Sequence, residues 1–113
     1  MIHLERADRA PFIESLSRAG EHLHVVIDDG RGDIYDPFIR ALRLPSWTGH
    51  NLDALLDALR DVADAHGSPW TLVWEPAPER LRTEGVRSVL ADLESQTPGL
   101  SIAVADDESG HQI

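Results

Sequence analysis

The chain has 113 residues, of which 42% are hydrophobic, so it suits one folded domain with a modest core. Twenty acidic residues against ten basic ones give a formal net charge of −10, which disfavours binding to nucleic acid or to an anionic membrane. There is no cysteine, so disulfides and cysteine-ligated zinc are excluded, and an intracellular location is favoured. We see no signal peptide and no membrane span in the sequence, and we expect a cytoplasmic protein.

Hydrophobic spacing and turn residues predict strands that alternate with helices. The predicted elements, in chain order, are a strand at 2–4, a helix from 8 to 20, a strand at 23–27 that is buried on both faces, a turn at 28–32, a short helix that begins at 36 and is stopped by Pro45, a helix at 51–66, a strand at 70–74, a single turn at 79–82, a helix through 86–93 that ends at 97–99, and a strand at 100–104. This alternation implies an α/β fold with a parallel sheet and right-handed crossovers.

The clearest element is the helix predicted from Asn51 to His66. Its apolar residues recur at i, i+3, i+4 and i+7, and they are Leu52, Leu55, Leu56, Leu59, Val62 and Ala63. Asn51 is a suitable N-cap. Asp53, Asp57 and Asp61 are four residues apart, so they share one face, where like charges repel by roughly a few tenths of a kcal/mol per pair. The face is either an ordinary solvated surface or a docking surface for a basic partner.

The loop ahead of this helix carries an aromatic residue, Trp47, on a turn that contains Gly49. An exposed aromatic side chain beside fixed charges is typical of an interface hot spot. Tryptophan is also largely buried in most proteins, so the sequence leaves both positions open.

Other motifs give weaker indications of chemistry. His22 and His24 share a face of a strand and form a possible metal pair, but no third ligand is evident. His50 is either a solvated loop residue or a group that titrates near neutral pH beside aspartates. The turn at 28–32 has the position of a nucleotide-binding loop, but Tyr35 stands where the third glycine is needed, and a plain turn is preferred. No catalytic triad is recognisable, so we expect no enzyme activity, cofactor or metal.

The segment from Leu44 to Leu59 reads Leu-Pro-Ser-Trp-Thr-Gly-His-Asn-Leu-Asp-Ala-Leu-Leu-Asp-Ala-Leu and closely resembles the barstar family, intracellular inhibitors of secreted ribonucleases. The family pattern is Leu-Pro-x-aromatic-x-Gly-x-Asn-Leu-Asp-Ala-Leu-x-Asp. The resemblance implies a three-stranded parallel sheet covered by helices. The expected domains are an N-terminal strand and helix extension at 1–22 that packs on the domain, a barstar-like domain at 23–105 and a flexible tail at 106–113. A dimer contact is the alternative role for the extension.

The resemblance also implies a binding site. The residues that it assigns to partner binding are Trp47, Thr48, Gly49, Asn51, Asp53, Leu56, Asp57 and Ser95. Asp57 matches the family's central aspartate, which occupies a phosphate site of the ribonuclease, and Trp47 matches an aromatic contact with the catalytic histidine. Leu56 stands where the best-known member has tryptophan. Ser95 stands where a glutamate contact is expected, with Glu94 adjacent as a possible replacement.

From these residues we expect an immunity protein that binds a basic ribonuclease one to one and blocks its active site by phosphate mimicry. The alternative is a non-catalytic regulatory or scaffold module that binds another basic protein through the same acidic surface. A small hydrolase that uses the aspartates is the least favoured interpretation.

Overall fold

A computed structural model of the protein describes residues 1–67, 69–81 and 83–106. Its elements are β1 (Ile2–Leu4), a 3-10 turn (Arg6–Asp8), α1 (Arg9–Arg18), β2 (His22–Ile27), α2 (Asp36–Ala41), α3 (Leu52–His66), β3 (Trp70–Glu75), α4 (Glu84–Gln96) and β4 (Leu100–Ala105). These are the helices and strands that the sequence predicts. The end of the turn expected at 79–82, and the tail expected at 106–113 beyond Asp106, lie outside the described residues.

The strands form one parallel sheet in the order β1-β4-β3-β2. The expectation of three strands is therefore wrong, because β1 joins the sheet as its fourth strand. Ile2 lies opposite Ala103 and Leu4 lies opposite Ala105, so the N-terminal strand is hydrogen-bonded to the last one. The first crossover runs from one edge of the sheet to the other, and α1 connects these two edges.

β2 forms the second edge of the sheet, and the expectation that both of its faces are buried is wrong. Among the strands of the described residues, it pairs with β3 alone. Val26 is buried, whereas Ile27 is 43% exposed. A run of apolar residues is typical of a central parallel strand. Here the same run occupies an edge of the described sheet, with a neighbouring strand on one side only.

The main core lies between the sheet and the helices α2, α3 and α4. Trp70, Leu72 and Trp74 alternate along β3 and contribute to it, since side chains two residues apart share a face of a strand. The helical residues that complete this core and are fully buried include Phe38, Leu55, Leu59, Val86, Leu90 and Leu93. Burial of one such side chain contributes roughly 1.5–3 kcal/mol, so the inner face of α3 is firmly fixed.

The start of α3 also lies close to the start of α4. At Gly85, near the start of α4, an added Cβ would lie 2.6 Å from Cδ1 of Leu52, the first residue of α3. The absence of a side chain at Gly85 thus lets the two helices begin in contact.

The turn after β2 is held by a buried ion pair. The Asp28 carboxylate is buried and accepts hydrogen bonds from Arg80, at 2.7 Å from Nε and 3.1 Å from Nη2. Arg80 also donates to the carbonyl oxygens of Arg31 and Gly32, at 3.2 and 2.9 Å. Burial alone would raise the pKa of Asp28, but the Arg80 guanidinium brings that pKa below its usual value. Arg80 therefore binds the turn at the Asp28 carboxylate and at two backbone carbonyl oxygens.

Candidate functional site

The loop that precedes α3 is ordered by its own hydrogen bonds. Asn51 caps the helix as the sequence predicts, because its side-chain oxygen accepts a bond from the Ala54 N–H at 2.8 Å. The Thr48 hydroxyl and N–H both donate to the Pro45 carbonyl, at 2.7 and 3.0 Å. At Gly49 an added Cβ would lie 3.0 Å from the Ala54 Cβ, so this position leaves little room for a side chain.

Trp47 lies at the tip of this loop with 83% of its surface exposed. The structure thus decides between the two positions that the sequence left open. Large exposed aromatic side chains are uncommon on a surface that meets only water, and they are enriched at interfaces.

Three of the four aspartates of α3, namely Asp53, Asp57 and Asp61, form an exposed acidic face, as their spacing predicts. The side chain of Asp57 is 78% exposed, and Nη1 of Arg60 lies 3.8 Å from its Oδ1. Arg60 instead donates to Oε1 of Gln96 from Nε and Nη2, at 3.3 and 3.0 Å. An exposed ion pair at that distance is worth about 0–1 kcal/mol, so the Asp57 carboxylate stays available to another molecule.

A groove of about 460 Å³ runs between this loop and α3. Among the residues assigned to partner binding, those that line it are Trp47, Thr48, Gly49 and Asp57. Its other lining residues are Leu42, Arg43, Leu44, Pro45, Ala54, Ala58, Asp61, Val62 and Ala65. The groove has an apolar lining with two carboxylates one helical turn apart, and it faces the same side as the exposed tryptophan.

The end of α2 contributes a feature that the sequence analysis missed. Arg43 adopts a left-handed backbone with φ 53°. The Leu44 N–H donates to the Ile39 carbonyl at 3.0 Å, the pairing of a Schellman cap, in which glycine is the usual residue at the left-handed position. A left-handed conformation costs a non-glycine residue about 1–2 kcal/mol. The helix consequently ends before Pro45, which was expected to stop it.

The remaining assigned residues are placed differently. Asp53 is exposed in the first turn of α3, whereas Leu56 is half-buried and packs against the core. Ser95 is exposed near the end of α4 and does not line the groove. The adjacent Glu94 is bound internally: Oε2 accepts from the Ile102 N–H at 2.7 Å, and Oε1 lies 2.9 Å from the amino group of the first residue. Both carboxylate oxygens of Glu94 therefore have partners within the chain, which disfavours a contact of Glu94 with another protein.

His50 contacts aspartates, but not those of α3. Its Nδ1 lies 2.5 Å from Oδ2 of Asp33 and 3.8 Å from Oδ1 of Asp36. The hydrogen bond with Asp33 raises the pKa of His50, and the same contact helps to hold the pKa of Asp33 below its usual value. The ligand atoms of these side chains lie within 4.8 Å of one another. Exposed groups of this kind are common without an ion, and we assign no metal to them.

The histidine pair of β2 meets a third histidine from the end of α3. His66 packs edge-on against His22 and His24, at centroid distances of 5.4 and 4.9 Å, and it stacks on Trp70 at 4.7 Å. In the described part of the chain these rings do not bring their nitrogen atoms into ligand spacing for a metal. Burial and the two neighbouring histidines lower the pKa of His24.

Together these features define a small parallel α/β domain whose main exposed feature is an acidic helix beside an aromatic loop and a groove. The chain belongs to the barstar family: the family model described as "Barstar (barnase inhibitor)" matches residues 12–106. The match begins within α1, so it takes in part of the segment at 1–22. Comparison with curated proteins and with solved structures gives no match. No helix in the described ranges has the length and apolar character needed to cross a membrane.

Proposed function

We propose that this protein is an inhibitor, not an enzyme, and that it blocks the active site of a basic ribonuclease with α3 and the loop at 44–51. The observation that carries the proposal is the state of Asp57. Its carboxylate is 78% exposed, its only contact with a charged group among the described residues is a distant ion pair, and it lines a groove beside the exposed Trp47. A carboxylate and an aromatic ring held side by side match the two features of an RNA substrate, a phosphate and a base.

Rigidity supports this mechanism of phosphate mimicry. The acidic face is presented by a helix whose opposite side carries the fully buried Leu55 and Leu59, and whose first turn is capped by Asn51. A surface that is already ordered loses little conformational entropy when it binds. The carboxylates of Asp53 and Asp57 are thus preorganised to contact arginine or lysine side chains of the ribonuclease.

Electrostatics favours the same partner class. The net charge of −10 attracts a basic protein and speeds encounter, and salt screens this attraction over about 8–10 Å at 0.1–0.15 M ionic strength. The repulsion among the aspartates of α3 is relieved when cations of a partner bind between them. We therefore expect association to slow as salt rises.

The contact is expected to centre on α3 rather than on α4. Leu56 packs against the core, and Glu94 is bound to the backbone of β4, so neither Leu56 nor the end of α4 reproduces the family pattern. This difference bears on which ribonuclease is bound.

The test is inhibition of barnase, together with a panel of other basic guanyl-specific ribonucleases, by the wild-type protein and two variants. Asp57→Asn removes one charge from the groove. Asp64→Asn removes one charge from the same helix, but Asp64 lines a separate small hollow with Arg60 and Gln96, so it is a matched control. We expect Asp57→Asn to weaken inhibition at least about 30-fold, because truncating one partner of a buried charge pair costs about 2–5 kcal/mol. Asp64→Asn should change inhibition less than about threefold.

Three outcomes are informative. Absence of inhibition across the whole panel refutes the proposal. An equal loss for the two variants refutes the central place of Asp57, because it reduces the effect to net charge. Tight binding to a basic protein without nuclease activity instead supports the regulatory or scaffold alternative.

A further inference from the structure

The loop that carries Trp47 is joined to the turn after β2 through the side chain of His50. The imidazole Nδ1 lies 2.5 Å from Oδ2 of Asp33 and 3.8 Å from Oδ1 of Asp36. Asp33 is 17 residues before His50 in the sequence. His50 lies between Gly49, which lines the groove, and Asn51, which caps α3. A constraint on His50 is therefore a constraint on the loop of the proposed binding surface.

The two carboxylates that meet His50 are themselves fixed by the backbone. Oδ1 of Asp33 accepts the N–H groups of Tyr35 and Asp36, at 3.0 and 3.1 Å. Oδ2 of Asp36 accepts the Asp33 N–H at 3.0 Å. Arg80 holds the adjoining Gly32 carbonyl at 2.9 Å and so ties this turn to the buried Asp28 pair. The carboxylates of Asp33 and Asp36 are thus held in place, and the His50 side chain binds to them.

We propose that His50 is a positioning residue: in its protonated form it latches the loop at 44–51 onto Asp33 and Asp36, and loss of the proton loosens that loop. The effect on the loop stands on the geometry alone. The effect on affinity rests on the proposed function, because an ordered loop binds a ribonuclease with a smaller entropy loss.

The groups that face His50 set the direction of the pH dependence. Asp33 and Asp36 attract the imidazolium and raise the pKa of His50 above 6.5. The ring of Tyr35, 6.1 Å from that of His50, stays neutral across the relevant range, since burial and Asp33 raise its pKa above 10.0. Arg80, which interacts with Asp33 from a distance, is charged throughout.

The latch is therefore closed below pH 6.5 and opens as the pH rises through the elevated pKa of His50. The ion pair persists as the pH falls until it reaches the pKa of Asp33, which is held below 3.8. A neutral imidazole can still donate one hydrogen bond to Asp33 from Nδ1, but its attraction to Asp36 is lost. Deprotonation thus loosens the loop without detaching it.

The first experiment uses the free protein and needs no ribonuclease. Carbon-13 relaxation of the Thr48 methyl and the Trp47 ring reports loop order at carbon-bound sites, at pH 6.0 and 8.5, with a Leu59 methyl as the internal control. In the wild type we expect loop mobility to rise with pH, along the titration curve of the His50 ring. In His50→Asn, which keeps an N–H near the position of Nδ1 but does not titrate, mobility should be the same at both pH values.

The second experiment measures dissociation from barnase over the same pH range. The ratio of wild-type to His50→Asn dissociation rates cancels the titration of the ribonuclease itself, and we expect it to rise roughly two- to fivefold from pH 6.0 to 8.5, the scale of an exposed ion pair. The latch is overturned if wild-type loop mobility does not change with pH, or if His50→Asn shows the same change. If barnase does not bind while the loop titrates as described, the latch stands and the proposed function fails for that enzyme.

Discussion

The buried pair of Asp28 and Arg80 gives the sharpest prediction about stability. Arg80→Met keeps much of the aliphatic stem but removes both bonds to Asp28 and the bonds to the turn carbonyls. The Asp28 side chain is 0% exposed and that of Arg80 is 16% exposed, so the variant leaves a carboxylate buried without its partner. Breaking such a pair costs about 3–5 kcal/mol, and the partial exposure of Arg80 favours the lower end, about 3 kcal/mol.

Urea unfolding at pH 7 measures this loss directly. With a slope of about 1–3 kcal/mol per molar urea for a small domain, a loss of about 3 kcal/mol lowers the midpoint by roughly 1–3 M. The double variant Asp28→Asn with Arg80→Met should be less destabilised than Arg80→Met alone, because it no longer buries a charge.

The pair of Asp28 and Arg80 also makes the free energy of unfolding depend on pH. Since the pKa of Asp28 is lowered from 3.8 in the folded protein, its contribution is complete above that value and is lost as the pH falls through the folded pKa. The difference in unfolding free energy between wild type and Arg80→Met should therefore narrow in acid. A difference below about 1 kcal/mol at pH 7, or one that persists unchanged at pH 2, would refute this reasoning.

Three further predictions follow from single positions. Arg43→Gly should raise the free energy of unfolding by about 1 kcal/mol in the same urea assay, because glycine adopts the left-handed backbone without strain; a loss would show that the Arg43 side chain stabilises the fold. Gly85→Ala should change it by less than about 1 kcal/mol, because its methyl group would meet only the outer atoms of the Leu52 side chain, which is 38% exposed and can rotate away, while alanine favours the helix; a larger loss would show that Leu52 cannot move. The lowered pKa of His24 means that the unfolded chain binds the proton more readily, so stability should fall as the pH drops below 6.5, and His24→Gln should flatten this slope in thermal unfolding.

The parts of the fold that were predicted are those set by local sequence. The helix from Leu52 to His66 was predicted with its cap, because apolar spacing and the Asn51 side chain act within a few residues. The four-stranded sheet was not predicted, since β1 has three residues and its partner strand lies at the opposite end of the chain. Nothing local in β2 distinguishes an edge strand from a central one.

In the candidate site too, the features set by local sequence were predicted and those set by tertiary contacts were not. Its acidic face follows from a four-residue spacing, and the exposure of Asp57 agrees with it. The groove was not predicted, because it exists only once the loop and α3 are packed side by side. The left-handed backbone at Arg43 was not predicted either, because nothing about an arginine residue indicates that conformation. The contact between His50 and Asp33 joins two loops that are distant in sequence, and the hydrogen bond of Glu94 is made with the backbone of β4. Both contacts depend on the tertiary fold, so the sequence did not predict them.

The central claim is that Asp57 and Trp47 occupy the place of RNA in a ribonuclease active site. The most direct test is calorimetric competition on barnase, or on another ribonuclease of the panel that the protein inhibits, with and without saturating guanosine 3′-monophosphate. Our account predicts mutual exclusion, with the apparent affinity falling in proportion to the nucleotide concentration above its own dissociation constant. A ternary complex of unchanged affinity would contradict it.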